Sequence, residues 1–353
     1  LATVCAGIKY TDRKDLVIIE LAEGTTTAGV FTQNAFCAAP VVVAKDHLSK
    51  AAPKYMVINT GNANAGTGEQ GMADALVTCQ KVAEETGCKA EEVLPFSTGV
   101  IGENLPVDTL KDGVTSACKA FAGNGWSDAA QGIMTTDTVA KGFSKSFDVN
   151  GKKVTVTGIA KGSGMIRPDM ATMLAYIATD AKVSQHDLLS CLKSSADHSF
   201  NRITVDGDTS TNDACMLMAT GQSGVDIKSG SAEYELLVNA VQDTCIELAK
   251  SIVKDGEGAT KLINIVVEQG NNQQECLDVA YTVAHSPLVK TAFFACDPNW
   301  GRILAAVGRA GISDLDLNAI EIYLNDVCIV EKGGRSPSYT EAQGQAVMDK
   351  TEI

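Results

Sequence analysis

Lys161-Gly-Ser-Gly-Met-Ile-Arg-Pro-Asp-Met-Ala-Thr172-Met-Leu-Ala-Tyr-Ile-Ala-Thr179 opens as a glycine-rich approach and closes as an apolar run of strand character. Thr172 stands at the entrance to that run. A hydroxyl held there, next to a small residue such as Ala171, can attack the preceding carbonyl where the backbone is strained. The peptide becomes an ester, and water releases it. The threonine so freed carries its own α-amino group, ordinary pKa about 7.7–8.0, beside its hydroxyl, where it can serve as general base. No separate histidine is needed, and none of His47, His186, His198 and His285 lies in a recognisable nucleophile motif. On spacing alone, the commoner reading is a threonine that merely opens a strand.

Outward from this segment, Asp15-Leu-Val-Ile-Ile-Glu20, Tyr55-Met-Val-Ile58, Lys153-Val-Thr-Val-Thr157 and Leu262-Ile-Asn-Ile-Val-Val267 read as strands between glycine and polar clusters. Helices come between them. Residues 70–86 set Met72, Leu76, Cys79 and Val82 at helical spacing before Gly87, and residues 232–254 do so with Leu237, Val241, Leu248 and Ile252. Such stripes are core faces rather than cofactor sites. Strands alternate with helices, but glycine-rich turns and consecutive strands are frequent too. This predicts a layered α/β or α+β architecture, not a strictly parallel one. The polar-to-apolar passage at 161–178 is the candidate internal boundary.

The 353 residues, 45% hydrophobic, suffice for one large domain or two closely joined ones. With 29 basic and 43 acidic residues the formal charge is -14, and no basic run could neutralise successive phosphates. Nucleic acid and membrane surfaces are therefore not expected as partners; small molecules and further copies of the chain are. Eleven cysteines, without a CxxC pair, read as reduced, mostly buried small hydrophobes of a cytoplasmic protein, with no metal site. No charged leader and no stretch of eighteen apolar residues occurs. Residue 1 is Leu, so the true start is expected to lie upstream.

Acyl transfer requires donors for the developing oxyanion, and Ser97-Thr98-Gly99-Val100 supplies such a turn after an apolar run. Thr98 offers a hydroxyl and Gly99 an unobstructed N–H. In isolation an ordinary strand-ending turn is the commoner reading. The Asn-rich stretches Asn59–Gly66 and Thr204–Asp213 fit no nucleotide loop, and their side chains more often build turns than bind substrate. Asp206 and Asp208 lack the later glycine and glutamate of a calcium loop. Glu257, flanked by glycines, is a candidate grip for a substrate ammonium or an ordinary loop carboxylate. Arg302, in Asp297-Pro-Asn-Trp-Gly-Arg302, could pair with a carboxylate, with a structural role favoured.

Taken in order, Asn62-Ala-Asn64, Ser97-Thr-Gly-Val-Ile-Gly102, Lys161-Gly-Ser-Gly-Met165, Met170-Ala-Thr172-Met-Leu, Asp255-Gly-Glu257-Gly and Asp297-Pro-Asn-Trp-Gly-Arg302 resemble the ornithine acetyltransferase family. The family is also known as the bifunctional arginine-biosynthesis acetyltransferases. The resemblance runs over nearly the whole sequence. It implies a layered αββα sandwich of the self-processing threonine-nucleophile type, cut between Ala171 and Thr172. The products would be an α chain of residues 1–171 and a β chain of residues 172–353, intertwined in one fold and assembled as a dimer of αβ pairs, a heterotetramer.

By the same resemblance, Thr172 is the nucleophile, Thr98 and Gly99 form the oxyanion hole, and Thr135, Lys161, Thr172 and Glu257 contact substrate. The implied reaction moves acetyl from N2-acetylornithine to glutamate through acetyl-Thr172, with no metal or cofactor and with acetyl-CoA as a possible further donor. Family chains continue beyond a segment like Ser338-Tyr-Thr-Glu341 into further substrate-binding residues, so a truncated C-terminus is expected here. The alternatives are a self-processing N-terminal-threonine amidohydrolase or aminopeptidase, and a non-catalytic metabolite-binding protein whose chain stays whole.

Overall fold

Strand residues Val17 and Ile19 turn to one side of their sheet and Leu16 and Ile18 to the other, and all four are buried, which two covered faces require. The computed structural model describes residues 1–167 and 173–353. They fall into two compact units, Leu1–Glu257 and Gly258–Ile353. The first runs β1 Ala2–Val4, β2 Leu16–Glu20, β3 Thr26–Phe31, α1 Ala39–Lys50, β4 Tyr55–Asn62, α2 Gly68–Thr86 and β5 Val93–Val100. Next come α3 Val107–Ala117, α4 Trp126–Gly132, β6 Lys141–Val149, β7 Lys152–Lys161 and β8 Leu174–Thr179. The short β9 Lys182–Val183, α5 Gln185–Asp197, β10 Ala214–Ala219, β11 Asp226–Ile227 and α6 Ala232–Lys254 complete it.

Two principal sheets result, ordered β1-β2-β4-β5 and β3-β10-β8-β7-β6. Their inner faces share one core, to which the first contributes Met56, Ile58, Leu94 and Phe96 and the second Leu174, Tyr176, Met216 and Met218. Phe96 meets Tyr176 edge to face across the gap, with ring centroids 5.3 Å apart. On the outer faces, Leu16, Ile18 and Val57 pack with Cys79 and Val82 of α2 and Leu110 of α3, while Ala175, Ile177 and Leu217 pack with Leu192 of α5 and with Leu237 and Leu248 of α6. Helix, sheet, sheet and helix are thus stacked, the expected αββα sandwich. Gly87, at φ +75°, ends α2 through its N–H to Ala83 O, and Ser184 and Ser231 cap α5 and α6.

β7 and β8, on either side of the passage at 161–178, pair antiparallel from Val156↔Thr179 to Lys161↔Leu174. Two expectations need correction. Leu262–Val267 is not a strand: its ladder is a single bridge, Leu262 to Glu352, and Val266 is 77% exposed. Alternating apolar residues make a strand only where a neighbour hydrogen-bonds along the length. Of the cysteines, Cys79, Cys191, Cys215 and Cys245 are buried, Cys5 is exposed and the others are half-buried, fewer in the core than expected. Burial pushes the Cys191 and Cys215 thiols up to about 12, so they stay protonated.

The second unit carries α7 Gln273–Ala284, α8 Pro287–Phe294, α9 Trp300–Gly308, a sheet of β12 Ile322–Leu324, β13 Val327–Glu331 and β14 Gly334–Arg335, and α10 Glu341–Met348. Its own core includes Phe293, Ile303, Ile329, Val330 and Met348. Among the described residues, no helix is long and apolar enough to cross a membrane.

The Tyr176 hydroxyl is buried without a hydrogen-bond partner among the described residues. Tyr176→Phe should therefore gain about 1 kcal/mol in urea unfolding by removing an unsatisfied polar group. Tyr176→Ala should lose about 3–5 kcal/mol through lost packing and a cavity between the sheets. A substantial loss in the phenylalanine variant would show that the hydroxyl is paired.

Candidate active site

β5 ends in Ser97-Thr98-Gly99-Val100, and its parallel pairing with β4 slips there, so that Asn62 lies opposite both Thr98 and Val100. Gly99 adopts φ +140°, and a Cβ on it would fall 2.2 Å from the Gly61 carbonyl carbon. Only glycine fits this crossing. The neighbouring polar side chains hold backbone. Asn59 accepts from Ser97 Oγ at 2.5 Å, and Asn62 donates to Glu103 O and Asn104 O. Asn212 donates to Ala63 O at 2.6 Å and Ser97 O at 2.9 Å. These bonds tie segments distant in the chain, while Asn59 Nδ2 donating to Asn62 O and Asn62 Oδ1 accepting the Asn64 N–H build the local turn.

Lys161, the last residue of β7, reaches this turn: its Nζ donates to Thr98 Oγ1 at 3.0 Å. The oxygen of Thr98 is thereby occupied as acceptor, leaving its own hydrogen to point elsewhere. Thr98 and Lys161 line a small cavity with Gly164, Met173, Asn212 and Asp213. Enclosure by protein lowers the pKa of the Lys161 ammonium, against the pull of Asp137 and Asp213. Asp213 is buried, and its Oδ2 has no hydrogen-bond partner among the described residues. Burial raises its pKa well above the usual carboxylate range, with Ser210 and Lys161 pulling the other way.

Glu257 lies against the cavity's edge, since a Cβ on Gly164 would come within 2.6 Å of its Oε1. A glycine at 164 is what admits that carboxylate. Thr135 follows α4, with its N–H donated to Asp137 Oδ2 at 3.0 Å and its carbonyl accepting from Arg13 at 3.0 Å. Thr136 beside it is exposed. Asp206 accepts N–H bonds from Met165 at 2.6 Å and Ile166 at 2.9 Å, so it fastens the glycine-rich approach. No cluster of potential metal ligands occurs among the described residues.

Of the residues singled out from sequence, Thr98, Gly99 and Lys161 are therefore brought together, with Glu257 at the edge and Thr135 tied to the adjoining loop. Ala171 and Thr172 lie outside the described residues. Arg302 has the structural role favoured for it: its N–H is capped by Asn299, and its guanidinium donates to Leu288 O and Thr291 Oγ1. Asp137 and Lys141 belong to no motif of the sequence, and Asp213 stands there only as the end of the Thr204–Asp213 stretch. Lys141 lies between Ala140 and Gly142, a flank too common to signal a buried charge, while Asp137 lies among threonines.

The ArgJ family matches residues 1–353, the whole sequence given. This chain belongs to the ArgJ family. The arginine biosynthesis bifunctional protein ArgJ of Pseudomonas fluorescens (strain Pf0-1) is 57% identical over 356 residues, covering 100% of this chain and 87% of the relative. That of Methylococcus capsulatus (strain ATCC 33009 / NCIMB 11132 / Bath) is 54% identical over 354 residues, covering 100% and 86%. The crystal structure of ornithine acetyltransferase from Mycobacterium tuberculosis, complexed with ornithine, is 35% identical and covers 48% of this chain and 91% of its own, with a TM-score of 0.43. Sequence similarity over residues 1–353 decides membership of the ArgJ family, and the arrangement of Thr98, Lys161 and Asp213 is this ArgJ chain's own geometry.

Asp213 makes a pH signature. A carboxyl whose folded pKa is raised contributes stability in full below its unfolded value and loses it as pH rises toward the folded one. Asp213→Asn cannot ionise, so its stability relative to the parent should grow from about pH 4 to about pH 8. Urea midpoints at both pH values test this, and an offset independent of pH would contradict it.

Proposed function

We propose that this chain is a self-processing acetyltransferase of arginine biosynthesis, which moves acetyl from N2-acetylornithine to glutamate through an ester on Thr172. The observation that carries this reading is the family match over residues 1–353. The donor turn at Thr98 and Gly99, beside an enclosed lysine, supports it chemically. A nucleophile in residues 168–172 would be joined to this site through Met173, which lines the same cavity.

In the maturation step the Thr172 hydroxyl attacks the Ala171 carbonyl, the C–N bond breaks, and the acyl group passes to oxygen while the proton goes to the freed amine. Water then hydrolyses the ester. The pairing of β7 with β8, one from each product, would keep the two fragments in one sheet. We assign the mature protein to the cytoplasm as a dimer of such αβ pairs.

In turnover, the Thr172 oxygen adds to the acetyl carbonyl of N2-acetylornithine and its proton passes to the α-amine of Thr172. Thr98 Oγ1–H and the Gly99 N–H receive the oxyanion. Because Lys161 already donates to that hydroxyl, its hydrogen is directed away from the lysine and strengthened as a donor. Collapse breaks the acetyl C–N bond and returns the proton to the departing ornithine. The glutamate amine then attacks the acetyl ester, giving N-acetylglutamate and restoring the Thr172 hydroxyl. Lys161 would grip a substrate α-carboxylate with its remaining hydrogens, Glu257 would meet the amine of ornithine or glutamate, and Thr135 would contact the bound amino acid. The scheme requires no metal or organic cofactor, and acetyl-CoA would enter as a second donor to the same ester.

Intact mass should reveal two fragments divided at Ala171/Thr172, and one uncut chain for Thr172→Ala. An uncut parent, correctly folded, would sink the mechanism. Incubation with N2-acetylornithine and glutamate should yield N-acetylglutamate and ornithine, whereas ornithine with free acetate would make the protein a hydrolase. Thr98→Val, which removes one oxyanion donor, should lower kcat by about 10²–10³-fold. An unchanged kcat in a fully processed variant would remove Thr98 from the oxyanion hole.

A further inference from the structure

Three segments carrying proposed substrate residues converge on one buried cation. Lys141, the first residue of β6, has a side chain only 1% exposed, and its Nζ lies 2.6 Å from Asp137 Oδ1 and 2.5 Å from Asp255 Oδ2. Each carboxylate then holds backbone. Asp137 accepts the Thr135 N–H at 3.0 Å on one oxygen and the Gly162 N–H at 2.7 Å on the other, next to Lys161. Asp255 accepts the Thr138 N–H at 3.0 Å. Its carbonyl accepts Ser163 Oγ at 2.6 Å, and the Ser163 carbonyl accepts the Glu257 N–H at 2.9 Å.

Burial would raise both carboxyl pKa values, but the cations prevail: Lys161 and Lys141 hold Asp137 below its usual range, and Lys141 with Thr138 does the same for Asp255. Both stay ionised and available as acceptors. A buried ion pair is a weak source of net stability, because desolvation offsets attraction; what it does supply is a definite geometry. Removing Lys141 would leave two carboxylates facing each other where one cation had joined them. The segments bearing Thr135, Lys161 and Glu257 would then lose their common anchor.

Resting on the acetyl-transfer reading above, we infer that Lys141 is a positioning residue that sets the separation of Thr135, Lys161 and Glu257 and so controls binding of both amino-acid substrates. Its ammonium contacts Asp137, Asp255 and the Val139 carbonyl, none of them a proposed substrate-contacting residue. Since donor and acceptor bind one site in turn, its loss weakens both alike and affects the chemical step less.

The test uses the processed full chain and its Lys141→Met variant, assayed well below the variant's unfolding midpoint, with intact mass verifying self-cleavage. The expected result is a rise of about tenfold or more in KM for both N2-acetylornithine and glutamate, with kcat changed by less than about threefold. Asp137→Asn, which weakens the same anchor while keeping its shape, should shift both KM values in the same direction and serves as the reporter if Lys141→Met does not fold. Ornithine binding by calorimetry provides a readout independent of transfer, and Kd should weaken by about tenfold. Unchanged Kd and KM values in folded, processed variants, or a fall in kcat alone, would overturn the inference. A parent that binds ornithine but transfers no acetyl would refute the acetyl-transfer reading and leave the binding result to decide on Lys141.

Discussion

The apolar contact between two sheets is the constraint on which the site depends. Phe96 and Tyr176 meet edge to face inside it. Two residues beyond Phe96 stands Thr98, and two before Tyr176 the strand β8 begins. Packing of the rings thus brings the outgoing end of one strand to the incoming end of another. Interiors are dense enough that this relation is hard to deform, and the candidate site at the strand ends inherits that rigidity. The candidate site sits at the edge of a core whose main content is hydrophobic.

Around that edge the chain uses its polar residues to hold backbone in place. Asn59, Asn62 and Asn212 fasten the β4–β5 end, and Asp206 fastens the approach at Met165 and Ile166. Lys161 and Asp213 are exceptions, since one points an enclosed ammonium at Thr98 and the other leaves a buried oxygen unpartnered among the described residues. Desolvation favours the neutral form of each, and each favours the other's charged form. Both shifts have the same physical origin, since enclosure by protein withdraws part of the hydration on which each charge depends.

Much of this was legible in the sequence. The runs at Asp15–Glu20, Tyr55–Ile58 and Lys153–Thr157 lie in strands β2, β4 and β7, since β-branched residues bounded by glycine suit a pleat covered on both faces. The stripes at 70–86 and 232–254 are helices with buried apolar faces. Thr98, Gly99 and Lys161 were identifiable as an ordered set of motifs, although each alone is an ordinary turn or strand residue. The run Leu262–Val267 misled because periodicity records which side chains could share a face, not whether a neighbour pairs with it.

By itself, then, the sequence determined the local elements, the αββα class through its family pattern, and the residue types able to perform acyl transfer. These depend on side-chain period, backbone freedom and intrinsic reactivity, all readable over a few consecutive positions. Only the tertiary structure decided that Lys161 reaches Thr98, that Asp213 is buried with an oxygen unpartnered among the described residues, and that Lys141 joins Asp137 to Asp255 across more than a hundred residues of chain. Burial and charge pairing are properties of where distant segments meet, and a buried lysine is spelled no differently from a solvated one.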